Sequence, residues 1–447
     1  MMTYEKILIK QNRHWRGERF PIGVERDVKS ELIPFLKTKY ILAITGVRRS
    51  GKSYLLYQLI DTLLEKKLPE NILYINFDDP AYVSIRNDQK GLDGLYSDYL
   101  KLKNPKGKTY LFLDEVQSIP GWEKWIKSRY DMEEDIKFIV TGSNASLLSS
   151  ELATLLTGRN LQFEVFPFNL AEFLRLHNED VFISSDINEI YEKNYGKKDT
   201  LRHYIKQILK DGTFPEILQI EEGMREMILK EYYKNILYRD IVPRFDVRHA
   251  NKLEEVAYYL LTNISNAVNY NKIGKLIGVS EVTIKNYLSY FEKSYLSFNI
   301  QKFAFSLKEQ IRNPKKVYFI DCGMRNAVSF RFSEDIGRLM ENVVFIELRR
   351  RGKDIFYWNK KNEVDFVIKQ GLEITELIQV SYDVEDEKTR MREEAGLIEA
   401  MDTFGLNEGL IITDDKYSVT MVDDKKITYI PLWAWMLRSI PQRNLII

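Results

Sequence analysis

Apolar runs and helical periodicities alternate through the first third of the chain. Tyr40–Thr45, Ile72–Phe77, Thr109–Asp114, Ile136–Thr141 and Leu161–Phe166 are short, almost wholly apolar and bounded by polar turns. That pattern predicts strands buried on both faces. Tyr54–Leu64 repeats its apolar residues at helical spacing, and an amphipathic helix is expected over about 26–36. Residues 167–245 keep a helical period, interrupted at Thr213–Ile217 and closed by Tyr238–Pro243. Leu253–Thr262, Asn271–Gly278 and Ser280–Phe291 read as three helices, the last two joined by a glycine turn. Beyond Ile336 the order is a helix at Met340–Leu348 and strands at Asp354–Trp358, Glu363–Ile368 and Glu376–Ser381. A helix carrying Arg390, Arg392 and Glu393 follows, then a strand at Gly409–Thr413. The class is α/β, with expected divisions at 1–166, 167–245, 246–330 and 331–447.

Chemistry enters at Gly46-Val-Arg-Arg-Ser-Gly51-Lys52-Ser53, which matches G-x-x-x-x-G-K-[ST] between a strand and a helix. Gly46 and Gly51 let the backbone curl so that its N–H groups face phosphate oxygens, and the helix N-terminus adds positive charge. Lys52 would reach the β- and γ-phosphates of ATP, and the Ser53 hydroxyl would hold Mg²⁺. Arg49, Ser50 and Tyr54 complete the expected nucleotide contacts. Asp114 and Glu115 follow a strand, at the end where parallel sheets bind ligands. Asp114 suits Mg²⁺, and Glu115 suits orienting and polarising the attacking water. After the next strand, Ser143 and Asn144 are candidates to sense the γ-phosphate, or else caps of a helix expected over 145–156. Arg159, just before the last core strand, sits at a rim from which a neighbouring subunit's nucleotide is reachable.

Composition narrows the classes. Lys and Arg number 66 against 65 Asp and Glu, so any nucleic-acid affinity must come from local patches. The single cysteine, Cys322, excludes an internal disulfide framework. No apolar run is long enough to span a membrane, and the first residues lack a secretory layout; a cytoplasmic location is expected.

The first half resembles an AAA+ ATPase of an archaeal and bacterial group. The loop with its paired arginines, Leu-Phe-Leu-Asp-Glu115, Thr-Gly-Ser-Asn144 and Gly-Arg159 ahead of Phe-Pro-Phe-Asn-Leu-Ala-Glu-Phe173 carry the likeness. It implies Ser143 or Asn144 as first sensor and Arg159 as an arginine finger acting in trans within a homo-oligomer. Residues 167–245 then read as a helical lid, with Arg239 a candidate second sensor. The resemblance also implies a winged helix-turn-helix and a restriction-endonuclease-like, PD-(D/E)xK domain. In the former, Thr283, Lys285 and Asn286 are candidate DNA contacts, and Lys302, Lys308, Arg312, Lys315 and Lys316 fall in the wing. In the latter, Asp365 matches the family's Asp and Glu341 its helix acid. Gln379-Val-Ser381 stands where Glu-x-Lys belongs, so the nuclease site is expected to be degenerate unless Lys388 or Arg390 substitutes. Two functions follow: ATP hydrolysis coupled to DNA, or a nucleotide-dependent switch for protein partners.

Overall fold

Ile41–Thr45 (β1) is buried at every position because its sheet is covered on both faces. In this computed structural model, which describes residues 4–83, 91–132, 134–143, 158–329 and 336–439, the chain divides into compact units at Met1–Phe166 and Pro167–Ile447. The first unit holds β1, Ile72–Asn76 (β2), Thr109–Asp114 (β3), Ile136–Gly142 (β4) and Asn160–Glu164 (β5). Their order is β2-β3-β4-β1-β5, and every pairing is parallel. The carboxyl ends of β3, β4 and β1 therefore lie side by side, with Thr45 level with Gly142.

Glu5–Gln11 (α1), Val28–Leu32 (α2), Lys52–Leu64 (α3), Gly91–Lys103 (α4) and Trp122–Asp131 (α5) are the described α-helices of this unit. The helix expected over 26–36 is shorter than its periodicity suggests. It passes into a 3₁₀ turn at Ile33–Lys37, where Pro34 has no N–H to donate. The edge strand β2 is sealed by amide side chains. Asn12 exchanges two hydrogen bonds with the Tyr74 backbone, and Gln11 does the same with Asn76. This satisfies groups that would otherwise template another strand.

The second unit begins with Leu170–Leu176 (α6), whose capping box joins Asn169 and Glu172. Ile187–Asn194 (α7), Lys198–Asp211 (α8) and Glu222–Asn235 (α9) follow, and a π-helical turn at Ile236–Ile241 carries Arg239. Next come Ala250–Thr262 (α10), Ala267–Val268 (β6), Tyr270–Ile277 (α11), Glu281–Lys293 (α12), Ser297–Lys302 (β7), Leu307–Arg312 (α13), Lys315–Phe319 (β8) and Cys322–Val328 (α14). Ile336–Arg350 (α15), Asp354–Asn359 (β9), Glu363–Gln370 (β10), Glu373–Val380 (β11), Glu387–Phe404 (α16), Glu408–Thr413 (β12), Ser418–Val422 (β13), Lys425–Pro431 (β14) and Leu432–Met436 (α17) close the unit. One mixed sheet joins its strands in the order β13-β14-β12-β11-β10-β9-β7-β8-β6. The link between β7 and β9 is short and parallel, at Gln301–Phe356 and Lys302–Tyr357. Helix α16 lies on this sheet through Leu397, Ala400 and Met401. Gly396 permits the approach, since a Cβ there would stand 2.7 Å from the Glu363 carbonyl.

Candidate active site

The loop after β1 has the conformation its glycines allow. Gly46 has φ 150° and Gly51 φ 97°, and Arg49 is also left-handed at φ 71°. A Cβ on Gly46 would stand 2.1 Å from the Val165 carbonyl, so the loop leaves the sheet against backbone. Lys52 is buried at the start of α3. Its ammonium donates to the carbonyls of Gly46 and Val47, both at 3.1 Å, and lies 3.6 Å from Glu115 Oε1. Tyr54 is 47% exposed and its ring backs onto Gly23.

Asp114 is fully buried and receives three hydroxyls. Ser53 Oγ donates to its Oδ2 at 2.6 Å, the Tyr74 hydroxyl to Oδ2 at 2.9 Å, and Thr141 Oγ1 to Oδ1 at 2.5 Å. Burial, and then the neighbouring Glu115, push the Asp114 pKa up despite these donors. Glu115 takes a left-handed backbone, φ 54°, an uncommon state for a residue with a Cβ that costs on the order of 1–3 kcal/mol. Burial alone would raise its pKa. Lys52 together with Gln117 and Arg48 outweighs that and holds Glu115 below the usual range. Gln117 Nε2 donates to Glu115 Oε2 at 2.5 Å and to Ser143 Oγ at 3.4 Å. The structure thus brings Lys52, Ser53, Asp114, Glu115 and Ser143 to one end of the sheet. Asn144 lies outside the described residues.

Arg159 stands at the other end. It precedes β5, whose Asn160 pairs with Ile41 at the start of β1. At a strand rise of about 3.3 Å per residue, the length of β1 separates it from the loop by roughly 20 Å. Its guanidinium bonds Asp131 at 2.5 Å and lies over the Tyr130 ring.

In the second unit the helix carrying Thr283, Lys285 and Asn286 starts at a Ser280 cap. The Ser280 hydroxyl accepts from the Thr283 N–H at 3.1 Å and shares a hydrogen bond with its hydroxyl. Thr283 is therefore committed to the cap. Lys285 is exposed but paired with Glu281 at 2.7 Å, and Asn286 is exposed. The assignment of Lys316 to a wing surface is corrected here. On β8, Lys316 and Tyr318 point to the same side by strand alternation, and that side is interior. The Lys316 side chain is 3% exposed, and its ammonium lies 3.0 Å from Glu341, 3.1 Å from Asp365 and 2.7 Å from Glu363. Tyr318 donates to Glu341 at 2.7 Å. Gln379 accepts from the Asp365 N–H at 3.0 Å and donates to Glu393. Ser381 instead turns to the Asp383 carbonyl. Lys388 is exposed and Arg390 pairs with Glu387 and Glu394, so neither supplies the cation.

Among the described residues no helix is long and apolar enough to cross a membrane, and no group of three or more His, Cys, Asp and Glu is arranged to hold a metal ion. An AAA domain matches residues 38–174. An uncharacterized protein of Methanocaldococcus jannaschii, MJ1544, is 38% identical over 93% of this chain and 91% of its own length. The chain belongs to its family. An uncharacterized Haemophilus influenzae protein is 30% identical over 90% of this chain and 96% of its own. Two domains of unknown function, DUF8612 and DUF4143, match residues 202–335 and 336–435 of this chain. Among solved structures, the Aeropyrum pernix Orc1 protein in complex with DNA covers 73% of this chain and 92% of its own, at 10% identity and TM-score 0.29. AMPPCP-bound DnaA from Aquifex aeolicus covers 62% and 90%, at 15% identity and TM-score 0.27. These two likenesses carry no further argument.

Sequence reasoning missed Tyr74, Thr141 and Gln117, and it placed Lys316 on a surface rather than among the acids Glu341, Glu363 and Asp365. Thr141 was visible as a polar residue closing an apolar strand, beside the Asp-Glu pair. The others had no spacing to mark them.

Proposed function

We propose that this family member hydrolyses ATP at the loop after β1 and couples turnover to DNA through residues 246–330. The convergence of Lys52, Ser53, Asp114 and Glu115 at one sheet end carries the first part. Lys52 and the loop N–H groups, from Gly46 to Gly51, hold the phosphates, with Arg49, Ser50 and Tyr54 at the margin. The fully buried Ser50 Oγ has no hydrogen-bond partner among the described residues, which fits a loop whose polar atoms turn to a ligand. Glu115, kept ionised by Lys52, accepts a hydrogen bond from the attacking water, and Gln117 holds the carboxylate in place. The adjacent hydroxyl and carboxylate of Ser53 and Asp114 are hard oxygen donors suited to Mg²⁺. When bound there, Mg²⁺ would supply charge neutralisation on the phosphates. Ser143, buried beside Gln117, is the sensor candidate within the described residues. Arg159 is too far from its own loop to serve it, which favours action on a neighbouring subunit in a homo-oligomer.

The DNA half rests on the helix-turn-helix order of α11 and α12, with Lys285 and Asn286 exposed. Leu276 and Val282 on the same two helices are 68% and 65% exposed. Apolar exposure of that kind favours a second reading, a nucleotide-dependent switch for a protein partner. ATPase rates with and without duplex, forked and junction DNA separate the two. Stimulation that is lost in a Lys285→Ala, Asn286→Ala double variant supports DNA. Rates indifferent to DNA, with partner binding that follows nucleotide state, support the switch.

The restriction-endonuclease-like region is read as non-cleaving. Lys316 restores a cation, yet Gln379 adds no charge for a metal and Ser381 no proton donor of a lysine's kind. Asp365-dependent cleavage of DNA by the unmodified protein would overturn this.

A further inference from the structure

Arg26 lies outside the fingerprint, yet its side chain is buried directly behind the loop. Its residue is 4% exposed; Nη1 donates to the Ser50 carbonyl and Nη2 to the Phe166 carbonyl, both at 2.7 Å. Gln58 on α3 fixes where that guanidinium sits. Its Oε1 accepts from the Arg26 N–H at 3.1 Å, and its Nε2 donates to the Ile22 and Val24 carbonyls, both at 2.7 Å. A strap over residues 22–26 is thereby tied to the helix that opens the phosphate loop.

The Ser50 peptide is the one that needs a brace. It lies between two left-handed residues, Arg49 and Gly51, where the peptide plane is free to turn over at little steric cost on the glycine side. In a trans peptide the carbonyl and the following N–H point in opposite directions. A Ser50 carbonyl drawn back to Arg26 therefore turns the Gly51 N–H to the far side, away from the buried guanidinium. We infer that Arg26 is a positioning residue of the ATP site: it holds the Ser50 carbonyl from behind and so aims the Gly51 N–H at the phosphates. The planar fork explains why the residue is arginine. It reaches two carbonyls on separate segments at once, which a single ammonium does not do in fixed geometry. The inference rests on the reading of this loop as an ATP site.

The test uses the full chain and two probes, Mg·ATP and Mg·tripolyphosphate, which has the phosphates without base or sugar. Affinities come from calorimetry, with kcat and KM measured alongside. Losing a charge-assisted hydrogen bond on the loop should weaken both probes by about tenfold and by equal factors. The kcat of Arg26→Met should stay within about threefold of the unmodified protein, because Glu115 and Lys52 are untouched. Arg26→Lys should restore part of the affinity. Gln58→Met should shift both probes in the same direction by less, and with Arg26→Lys it carries the test if Arg26→Met does not fold. Unchanged affinity for both probes in the folded variants overturns the role of Arg26 and leaves the ATP reading standing. Weakened ATP with unchanged tripolyphosphate also overturns it, since the strap would then serve the base. An unmodified protein that binds neither probe overturns the ATP reading, and this inference with it.

Discussion

Lys52 and Glu115 answer to each other across 3.6 Å, and their substitutions should separate binding from turnover. In Lys52→Ala the phosphates lose the buried ammonium at the loop, so hydrolysis should be abolished and ATP binding weakened. Glu115→Gln keeps shape and a hydrogen-bonding oxygen but removes the charge that polarises water. Turnover should fall by about 10²–10⁴ while ATP binding persists, as read by single-turnover hydrolysis beside equilibrium binding. Near-normal turnover in Glu115→Gln would remove Glu115 from the reaction. Both residues were legible because the chemistry fixes their type and spacing. Arg26 and Gln117 were not, since one serves backbone carbonyls and the other a neighbouring carboxylate. Contacts of that kind leave no periodic trace in a sequence.

Among elements, the lead-in ahead of β1 does more than its unspecific sequence suggests. Beyond Gln11 and Asn12, the His14 ring bonds the Ile72 carbonyl at 3.0 Å, and Trp15 reaches the carbonyls of Pro69 and Ile72. His14 is 2% exposed, and burial is the chief cause that lowers its pKa from 6.5 to about 4. The unfolded chain therefore binds a proton that the folded chain refuses between those values. Stability should be intact above pH 6.5 and fall by up to about 3 kcal/mol as the pH drops to 4. Urea unfolding of the unmodified protein and of His14→Gln, which cannot titrate, checks this; the difference between them should vary with pH over that window. The strands of the first unit were legible from their apolar runs because both faces are buried. The short β6 and the antiparallel pair β13 and β14 were not, for they are held in place by their neighbours in the sheet.

At the scale of the molecule, Arg159 and Lys316 each join parts that sequence order keeps separate. Arg159→Ala should leave ATP affinity unchanged and slow hydrolysis, by about 10³–10⁵ if it matches trans fingers of GTPase systems. Mixing Arg159→Ala with Lys52→Ala subunits should recover part of the turnover; an oligomer without recovery would refute action in trans. Lys316→Met would strand Glu341 and Asp365 as buried charges without their cation. Removing one partner of such a group costs about 3–5 kcal/mol. The loss should shrink on acidification, because Glu341, which burial and then the Asp365 charge already push up to about 7, then takes up a proton, and denaturant midpoints at pH 8 and pH 5 would show it. Lys316 also bears on how such chains can be inherited. The boundary between the two domains of unknown function falls at residues 335 and 336, between the lysine and all three of its acids. A recombination that exchanged only the C-terminal piece for a distant cousin's would import carboxylates without their counter-charge, or leave the lysine without them. The two pieces therefore depend on each other for charge balance, and a fragment cut at that boundary should fail as a folding unit, as circular dichroism of the separate pieces would show.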